Sequence, residues 1–354
     1  MKWKPDWPQV KDHFRRFWDR EGPIVYIEAP RTEPLEALPA AVKPADPAQW
    51  YIDPKLYCTR QLHSMANTFW GGDAFPHFPC YLGPGSLGTF LGAQPHFAFN
   101  TVWYEPCIGD PDAFGPIKFS QDNVWWKHHM AVLDEALRQS RGRYVCGMPD
   151  LVENIDTLAA MRGNENLLMD LIERPEWVVD RVWEINEAFF AAFDLIYERI
   201  KDDEGGNTFM FEIWGPGKTA KVQCDFSCMI SPKMFDRFVV PALTEQCRWL
   251  DYSLYHLDGT TALQHLDSLL AIEPLDVIEW TPQSGRPGGG DPMWFEMYRR
   301  IKAAGKGVQA VGVKPEEIVP LLDAVGPEGV YAKGSAKDQA TAEQVLEQVE
   351  KYYR

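Results

Sequence analysis

Short apolar runs alternate with longer segments whose apolar residues recur at helical spacing along most of the chain. Beyond residue 122 the alternation is regular, and each apolar run has the length of a single strand. The pattern predicts strands at 23–31, 143–149, 207–215, 252–259, 275–281, 306–313 and 329–335. It predicts helices over the first 20 residues and at 54–70, 123–141, 155–163, 165–200, 231–250, 261–272, 292–305, 314–326 and 338–354, with a break at Pro175.

The predicted strands are apolar on both faces, which is typical of a parallel sheet covered by helices. Six or seven strand–helix units in one chain favour a (β/α)8 TIM barrel over an open doubly wound sheet. No Gly-x-Gly-x-x-Gly motif follows a strand, and "GRPGGGD" at 285–291 lacks the features of a phosphate loop. We therefore expect an α/β protein with a single domain over 1–354. It would consist of a helical extension at 1–22 and a barrel over 23–354 that contains a long, irregular, aromatic-rich segment at 71–122.

The charge balance narrows the class of partner. The net charge is −16 and the isoelectric point is about 5.0, without a basic stripe, which argues against nucleic acid or an anionic membrane as a partner. The first residues lack the apolar core of a signal peptide, and no run of about 18 apolar residues occurs. We expect a soluble cytoplasmic protein.

The seven cysteines are scattered, and in a reducing compartment they are most simply explained as buried thiols. Cys224 and Cys228 have C-x3-C spacing, but no second pair follows to complete a zinc site. The segment "KHH" at 127–129 lies on a predicted amphipathic helix, where we expect it on the surface.

Tryptophan is abundant, with 14 in the chain and 13% aromatic residues overall. For each tryptophan, ordinary packing is an adequate explanation. Several nevertheless lie beside Gly, Pro or Asp, and as a set they suggest the flat wall of a ligand pocket. The candidates for that wall are Trp70, Trp103, Trp214 and Trp280.

Polar residues follow the predicted strands at the points where the strands end. In a barrel these ends form one mouth, and the mouth carries the active site. The residues so placed are Glu28, Arg31, Asp150, Glu212, His256, Asp258, Glu279 and Lys333. His256 and Asp258 point to the same side of one strand, where they could act as an acid–base pair or supply two metal ligands. The alternative for Asp258 is the cap of the following helix.

Several segments resemble the uroporphyrinogen decarboxylase superfamily, a TIM-barrel group that also contains corrinoid-linked methyltransferases. "KVQCDFSCMISPKMFDRFVVPAL" at 221–243 is similar to the family's segment in which an acidic strand end leads to a Ser-Pro-opened helix. "YIEAPR" at 26–31 occupies the place of its double-arginine motif, "GGDAFP" at 71–76 that of its catalytic aspartate, and "VYAKGSA" at 330–336 that of its Gly-His-Gly. The resemblance implies a barrel of the uroporphyrinogen decarboxylase type, with a catalytic role for Asp73 that competes with a simple turn role.

The departures from that pattern argue against tetrapyrrole decarboxylation. The first arginine position is Ile27, the histidine position is Lys333, and carboxylates rather than cations dominate the predicted mouth. The zinc-binding His-x-Cys of the family's thiol-alkylating members is His256-x-Asp258 here, and no cysteine occupies the last strand. Thiolate-rich zinc is therefore not expected, and the metal candidates reduce to a weak pair, His256 and Asp258.

Three functions are the leading hypotheses, and decarboxylation is kept as a further alternative. The first, favoured by the resemblance, is transfer of a methyl group from an O-methylated, aromatic small molecule to a corrinoid. Asp258, Glu279 or Glu212 would protonate the leaving oxygen, and the corrinoid would be free cobalamin or bound to a partner protein. The second is a glycoside hydrolase that uses Glu212 and Glu279 with Trp platforms. The third is a ligand-binding barrel without catalysis.

Members of the superfamily are often homodimers, so a second copy is a candidate partner. Asp225 matches a family position, but its expected role is to organise the start of the helix at 231.

Overall fold

The computed structural model describes residues 1–353, which form 13 strands and 14 α-helices. The strands are β1 (Ile24–Pro30), β2 (Thr68–Gly72), β3 (His77–Pro79), β4 (Gln94–Ala98), β5 (Thr101–Glu105), β6 (Val145–Gly147), β7 (Asn207–Phe209), β8 (Ile213–Gly215), β9 (Thr219–Gln223), β10 (Tyr252–Asp258), β11 (Val277–Thr281), β12 (Gly307–Val313) and β13 (Val330–Ser335). The helices are α1 (Trp7–Trp18), α2 (Gln49–Ile52), α3 (Pro54–Ala66), α4 (Ser86–Phe90), α5 (Val124–Ser140), α6 (Asn154–Arg162), α7 (Asn164–Glu173), α8 (Pro175–Ile200), α9 (Pro232–Phe238), α10 (Val240–Trp249), α11 (Leu266–Leu270), α12 (Phe295–Ala303), α13 (Pro315–Val325) and α14 (Gln339–Val349). Four short 3-10 helices cover 225–229, 262–265, 292–294 and 350–353.

One large sheet organises the molecule. It has seven strands in the order β2-β1-β13-β12-β11-β10-β9, and all neighbours are parallel except β2, which runs antiparallel to β1. Helices connect the parallel strands, as parallel pairing requires. The prediction of an α/β protein with a large parallel sheet is confirmed.

Three two-stranded sheets accompany the large one. β3 pairs with β6 in parallel, β4 with β5 and β7 with β8 antiparallel, and an isolated parallel bridge joins Met148 to Phe209. The side chain of Asn207 also bonds the backbone of Thr219, which ties β7 to β9. Among the described strands the hydrogen-bonded ladder is not a continuous ring, because no ladder links β1 or β2 to β3. A closed barrel is therefore not shown.

The helical extension packs beneath the sheet. Phe14 and Phe17 of α1 contact the ring of Tyr331 near the start of β13, and Trp18 donates a hydrogen bond of 2.8 Å to the carbonyl of Trp214. The buried face of α1 therefore contacts residues near the strand starts and leaves the carboxyl ends free for a site.

Several predicted boundaries were wrong. The helix predicted over 54–70 ends at Ala66, because Thr68–Gly72 pairs with β1 instead. The strand predicted over 207–215 is a tight hairpin whose turn residue Glu212 has a φ of +50°, and β9 was not predicted. The predicted irregular segment 71–122 contains β3, α4 and the β4–β5 hairpin between stretches without regular structure. Among residues 1–353 no helix is both long enough and apolar enough to cross a bilayer.

Candidate active site

Three neighbouring strands place the central polar residues side by side. In the register of β9, β10 and β11, Gln223 is opposite His256, and His256 is opposite Glu279. Alternation along a strand points these three side chains to one face of the sheet, at the carboxyl ends of parallel strands. The predicted convergence of His256 and Glu279 is thus seen.

His256 and Glu279 form a hydrogen-bonded ion pair. Nδ1 of His256 contacts Oε2 of Glu279, whose other oxygen accepts from the hydroxyl of Thr281 at 2.6 Å. Burial disfavours the charged imidazole, but the Glu279 carboxylate and its hydrogen bond outweigh burial and raise the pKa of His256. Glu279 is fully buried, and its contact with Nδ1 orients the imidazole ring of His256. Nε2 of His256 therefore remains for a metal or a substrate.

Two carboxylates lie beside this pair. Asp156 accepts from the backbone amides of Asp225 at 2.7 Å and of Phe226 at 2.8 Å, and Nε2 of Gln223 lies 3.0 Å from both Asp156 and Asp225. Loss of solvation and the like charge of Asp156 raise the pKa of Asp225 to about 6. Asp225 is therefore half protonated near pH 6, so it can give up a proton in weakly acidic solution. It starts a 3-10 helix, while Ser231 caps α9, so the role we expected for Asp225 was wrong.

A buried hydrogen-bond network holds both the side chain and the backbone of Gln223 in place. Lys221 donates to Asp150 and to Oε1 of Gln223, and the backbone amide of Gln223 donates to Glu153 at 2.7 Å. Burial raises the pKa of Glu153 to about 8, so this side chain holds its proton at neutral pH. The predicted rim residue Asp150 thus supports the site through an ion pair with Lys221.

A cavity of about 470 Å³ opens beside Asp156 and Asp225. Its walls are mostly apolar or aromatic, and its charged side chains are these two carboxylates. The lining residues are Pro84, Gly85, Tyr104, Val152, Asp156, Thr157, Ala159, Ala160, Asn164, Gln223, Asp225, Phe226, Cys228 and Met229. Val152 has a φ of +46°, a strained conformation for a β-branched residue, and such strain is concentrated at functional sites.

A second polar group lies across the strand ends. Glu212 forms an ion pair with Lys333, and Glu28 accepts a hydrogen bond from Tyr26. The turn at Phe211–Glu212 connects the two groups, because the Phe211 ring lies 4.9 Å from the His256 ring while Glu212 reaches Lys333. Burial and the nearby Glu28 raise the pKa of Glu212, while Lys333 opposes that change.

The tryptophans do not form the predicted wall. Trp214 and Trp280 are 1% and 0% exposed, Trp280 packs on Trp294, and Trp214 lies against Trp7 of α1. Alternation along β11 explains Trp280, because its neighbour Glu279 faces the site, whereas Trp214 packs in the core against Trp7. Trp70 is half-buried on β2, and Trp103 is exposed on the β4–β5 hairpin, where it stacks on His96. The aromatic residues that line the cavity are instead Tyr104 and Phe226.

Other predicted residues lie apart from the cavity. Asp73 is buried near the start of β1, where it accepts from the amide of Val25 at 2.9 Å and contacts His13 and Tyr353. It is therefore at the opposite edge of the sheet from His256. Arg31 follows β1 and bonds the carbonyl of Glu33 at 2.9 Å.

Two smaller predictions are corrected or refined. In the segment 127–129, which we expected on the surface, His129 is fully buried against Phe90 and Trp126. All seven cysteines are free thiols; Cys224 is buried, whereas Cys228 is exposed at the cavity.

Three side chains could hold a metal ion. Asp225, His256 and Asp258 each offer a ligand atom, and these atoms lie within 4.8 Å of one another. The donor set of two carboxylates and one imidazole suits a divalent cation harder than a thiolate-bound zinc. The Glu279–His256 contact is the carboxylate–histidine arrangement that orients metal ligands. His256 and Asp258 were the metal candidates predicted from the sequence, and Asp225 is the third donor.

Asp156, Gln223 and Tyr104 were not identified as site residues from the sequence. Asp156 lies within a predicted helix, Gln223 lies on the strand that was not predicted, and Tyr104 lies in the irregular segment. Gln223 and Asp225 flank Cys224 in the family-like segment 221–243, so they were the residues that the resemblance could have revealed.

Comparison with known proteins supports the fold. The structure is similar to that of a methyltransferase from Methanosarcina mazei, with a TM-score of 0.61 and 10% sequence identity, over 98% of this chain and 99% of that chain. No protein-family model matches the sequence. A search of curated proteins also gives no match.

Proposed function

We propose that this protein is a methyltransferase that removes a methyl group from an O-methylated aromatic small molecule and passes it to a corrinoid. The observation that carries the proposal is the placement of Asp225, with its raised pKa, on a cavity of about 470 Å³. The likeness of the whole fold to a methyltransferase supports this chemistry, as does the resemblance to the uroporphyrinogen decarboxylase superfamily and its barrel.

The chemistry needs an acid, because the phenolate anion released from an aryl methyl ether is a poor leaving group. As the bond between the methyl carbon and the ether oxygen breaks, the oxygen keeps the electron pair and takes the proton of Asp225. The product is then a neutral phenol, and Asp225 is left as the carboxylate. Gln223 and Asp156 hold Asp225 in place through the hydrogen bonds at 2.7 and 3.0 Å.

The cavity suits the substrate and not the corrinoid. A volume of about 470 Å³ is in the range of small-molecule pockets, and a corrin macrocycle would not fit inside it. A reduced corrinoid would supply the nucleophile that takes the methyl group, presented at the open mouth by a partner protein or as free cobalamin. The exposed side chains of Cys228 and Met229 lie at that mouth.

His256 has a second role in the proposal. Its raised pKa favours the imidazolium, which lies within 4.8 Å of oxygens of Asp225 and Asp258 and would stabilise the Asp225 carboxylate that remains after the proton is given up. A divalent cation held by Asp225, His256 and Asp258 would instead polarise the ether oxygen as a Lewis acid. The proton-donor form is preferred here because it follows from the contacts among the side chains themselves.

Two of the alternatives, glycoside hydrolysis and decarboxylation, lose support. A glycoside hydrolase was inferred from tryptophan platforms beside Glu212 and Glu279, but the indoles of Trp214 and Trp280 are buried. A decarboxylase for polyanions needs free cations, whereas Lys333 is paired with Glu212.

The experiment is transfer of the methyl group from methoxyphenols to chemically reduced cobalamin, followed by the spectrum of methylcobalamin and by the phenol released. Asp225→Asn should lower the rate by about 10²- to 10⁴-fold, the usual loss for a general acid. The control is Asp203→Asn, the same substitution at an exposed loop residue before β7. Absence of methyl transfer across a broad panel of ethers, or an active Asp225→Asn variant, would contradict the proposal. Addition of EDTA distinguishes the metal form, because chelation would then abolish the activity.

A further inference from the structure

The turn between β7 and β8 has a strained backbone beside the active site. Glu212 has a φ of +50°, a left-handed conformation that residues with a side chain seldom adopt, and its amide donates to the carbonyl of Phe209 at 2.9 Å. Such a conformation persists only where the surrounding contacts fix it.

Three contacts with β12 and β13 fix this turn. Nε2 of Gln309 on β12 donates to the carbonyl of Phe211 at 3.0 Å, and the hydroxyl of Tyr331 on β13 donates to the carbonyl of Glu212 at 2.7 Å. The carboxylate of Glu212 forms an ion pair with Lys333, which also lies on β13. Two backbone carbonyls and one side chain of the turn are therefore held by strands that are distant in sequence.

The turn presents the ring of Phe211 to the active site. The centroid of this ring lies 4.9 Å from that of the His256 imidazole, and the two planes are tilted by 43°. Glu279 holds the same imidazole through Nδ1. The χ2 torsion of a histidine is soft, so one hydrogen bond at one nitrogen leaves the orientation of the ring poorly defined. The contact with Phe211 supplies the second constraint.

The residue at position 212 is unexpected if the turn has no role beyond reversing the chain. Glycine would adopt this φ without strain. The side chains of Glu212 and Lys333 are 23% and 24% exposed, and ion pairs that water reaches contribute little to stability. Holding the turn in place therefore accounts for the glutamate better than stability does.

We propose that the Phe211–Glu212 turn is a positioning element for His256: Lys333 anchors Glu212, and Phe211 holds the imidazole so that it faces Asp225. The inference rests on the proposed function, in which the imidazolium stabilises the Asp225 carboxylate that remains after the proton is given up. Lys333 is not among the residues that line the cavity, so it acts on the reaction through the turn and not by touching the substrate.

The first test measures this geometry without any reaction. In protein with ¹³C-labelled histidine, the ring current of Phe211 displaces the ring resonances of His256, which are identified by their loss in His256→Gln. Phe211→Leu should remove the displacement. Lys333→Met should change it although the Phe211 ring is still present. The control is Lys201→Met, which breaks the ion pair with Glu198 at the end of α8 and should leave these resonances unchanged.

The second test separates positioning from substrate binding. Phe211→Leu and Lys333→Met should each lower the kcat of methyl transfer by about 10- to 100-fold, the scale of a small misplacement of a reacting group, and leave the KM for the methoxyphenol unchanged. Phe211→Tyr keeps an aromatic ring and should recover the kcat that Phe211→Leu loses. Because Lys333 acts through Phe211, the double variant should be no slower than Phe211→Leu alone.

A Lys333→Met variant with the wild-type kcat and unchanged His256 resonances would overturn the inference. Losses in the two single variants that multiply in the double variant would also overturn it. If the resonances change as predicted but the wild type transfers no methyl group to cobalamin, the proposed function fails and the positioning of His256 stands. If methyl transfer occurs and the His256 resonances are the same in wild type and Lys333→Met, the positioning fails and the proposed function stands.

Discussion

The carboxylates of Asp156 and Asp225 are joined through one amide, since Nε2 of Gln223 lies 3.0 Å from Oδ2 of each. The residues are 69 positions apart in sequence, and the backbone amide of Asp225 also donates to Asp156 at 2.7 Å. Two like charges are therefore held together at the cavity. This contact makes Asp225 the acid of the proposed reaction.

Replacing Asp156 with Asn should lower the pKa of Asp225 from about 6 towards its ordinary value, because the like charge is lost. The upper limit of the pH–rate profile for methyl transfer should move to lower pH by the same amount. Carboxyl-carbon NMR of labelled aspartate measures the pKa directly, and Asp203→Asn should leave it unchanged. If the Asp225 signal titrates alike in wild type and Asp156→Asn, the repulsion is not its cause.

Replacing Glu279 with Gln should lower the pKa of His256, since burial then acts without the carboxylate. Because the folded pKa of His256 is raised, the stabilisation by this pair is complete below the unfolded pKa of about 6.5 and is lost as pH rises through the folded pKa. Breaking a buried pair costs about 3–5 kcal/mol, so urea unfolding at pH 6 should show a large loss. The control is Glu105→Gln, which breaks the exposed pair with His96 and should cost less than about 1 kcal/mol. Equal losses in the two variants would refute a buried pair.

Replacing Glu153 with Gln should flatten the dependence of stability on pH. The folded state holds the Glu153 proton up to a pH of about 8, whereas the unfolded chain releases it near 4.5. Stability contributed by the protonated side chain is therefore lost as pH rises between these values. The glutamine variant should unfold at the same urea concentration as wild type near pH 4.5 and at a higher one at pH 8.5. A wild-type midpoint that does not fall over this range would show that Glu153 is ionised in the folded protein.

Replacing Trp280 with Phe should destabilise the protein without changing ligand binding. Trp280 is fully buried on Trp294, so the smaller ring leaves a cavity that should cost roughly 1–3 kcal/mol. Trp103→Phe, at an indole that is 52% exposed, should change the stability by less than about 0.5 kcal/mol. Weaker methoxyphenol binding by a folded Trp280→Phe variant would restore the tryptophan wall that the sequence suggested.

The sequence was informative where a feature is local to one strand. His256, Asp258 and Glu279 were found because each ends an apolar run, and β10 and β11 place them at one edge. The alternation of side chains along a strand could have excluded Trp280, since Glu279 faces the site and its neighbour must face away. The wall inferred from the number of tryptophans and their Gly, Pro and Asp neighbours was therefore wrong for Trp214 and Trp280.

Features that depend on contacts between distant segments were not predictable. Asp156 and Asp225 are individually ordinary, on a helix and after a strand, and their effect on each other arises only when α6 and β9 meet. The family match of Asp73 pointed to catalysis, but the antiparallel pairing of β2 carries it to the other edge of the sheet.

The most direct test of the central claim is the pH dependence of transfer of a ¹³C-labelled methyl group from a methoxyphenol to reduced cobalamin. We predict labelled methylcobalamin and free phenol in equal amounts. The rate should be constant below pH 6 and should fall about tenfold per pH unit above it as Asp225 loses its proton. No labelled methyl group on cobalt at any pH, despite demonstrated binding of the methoxyphenol, would contradict the account.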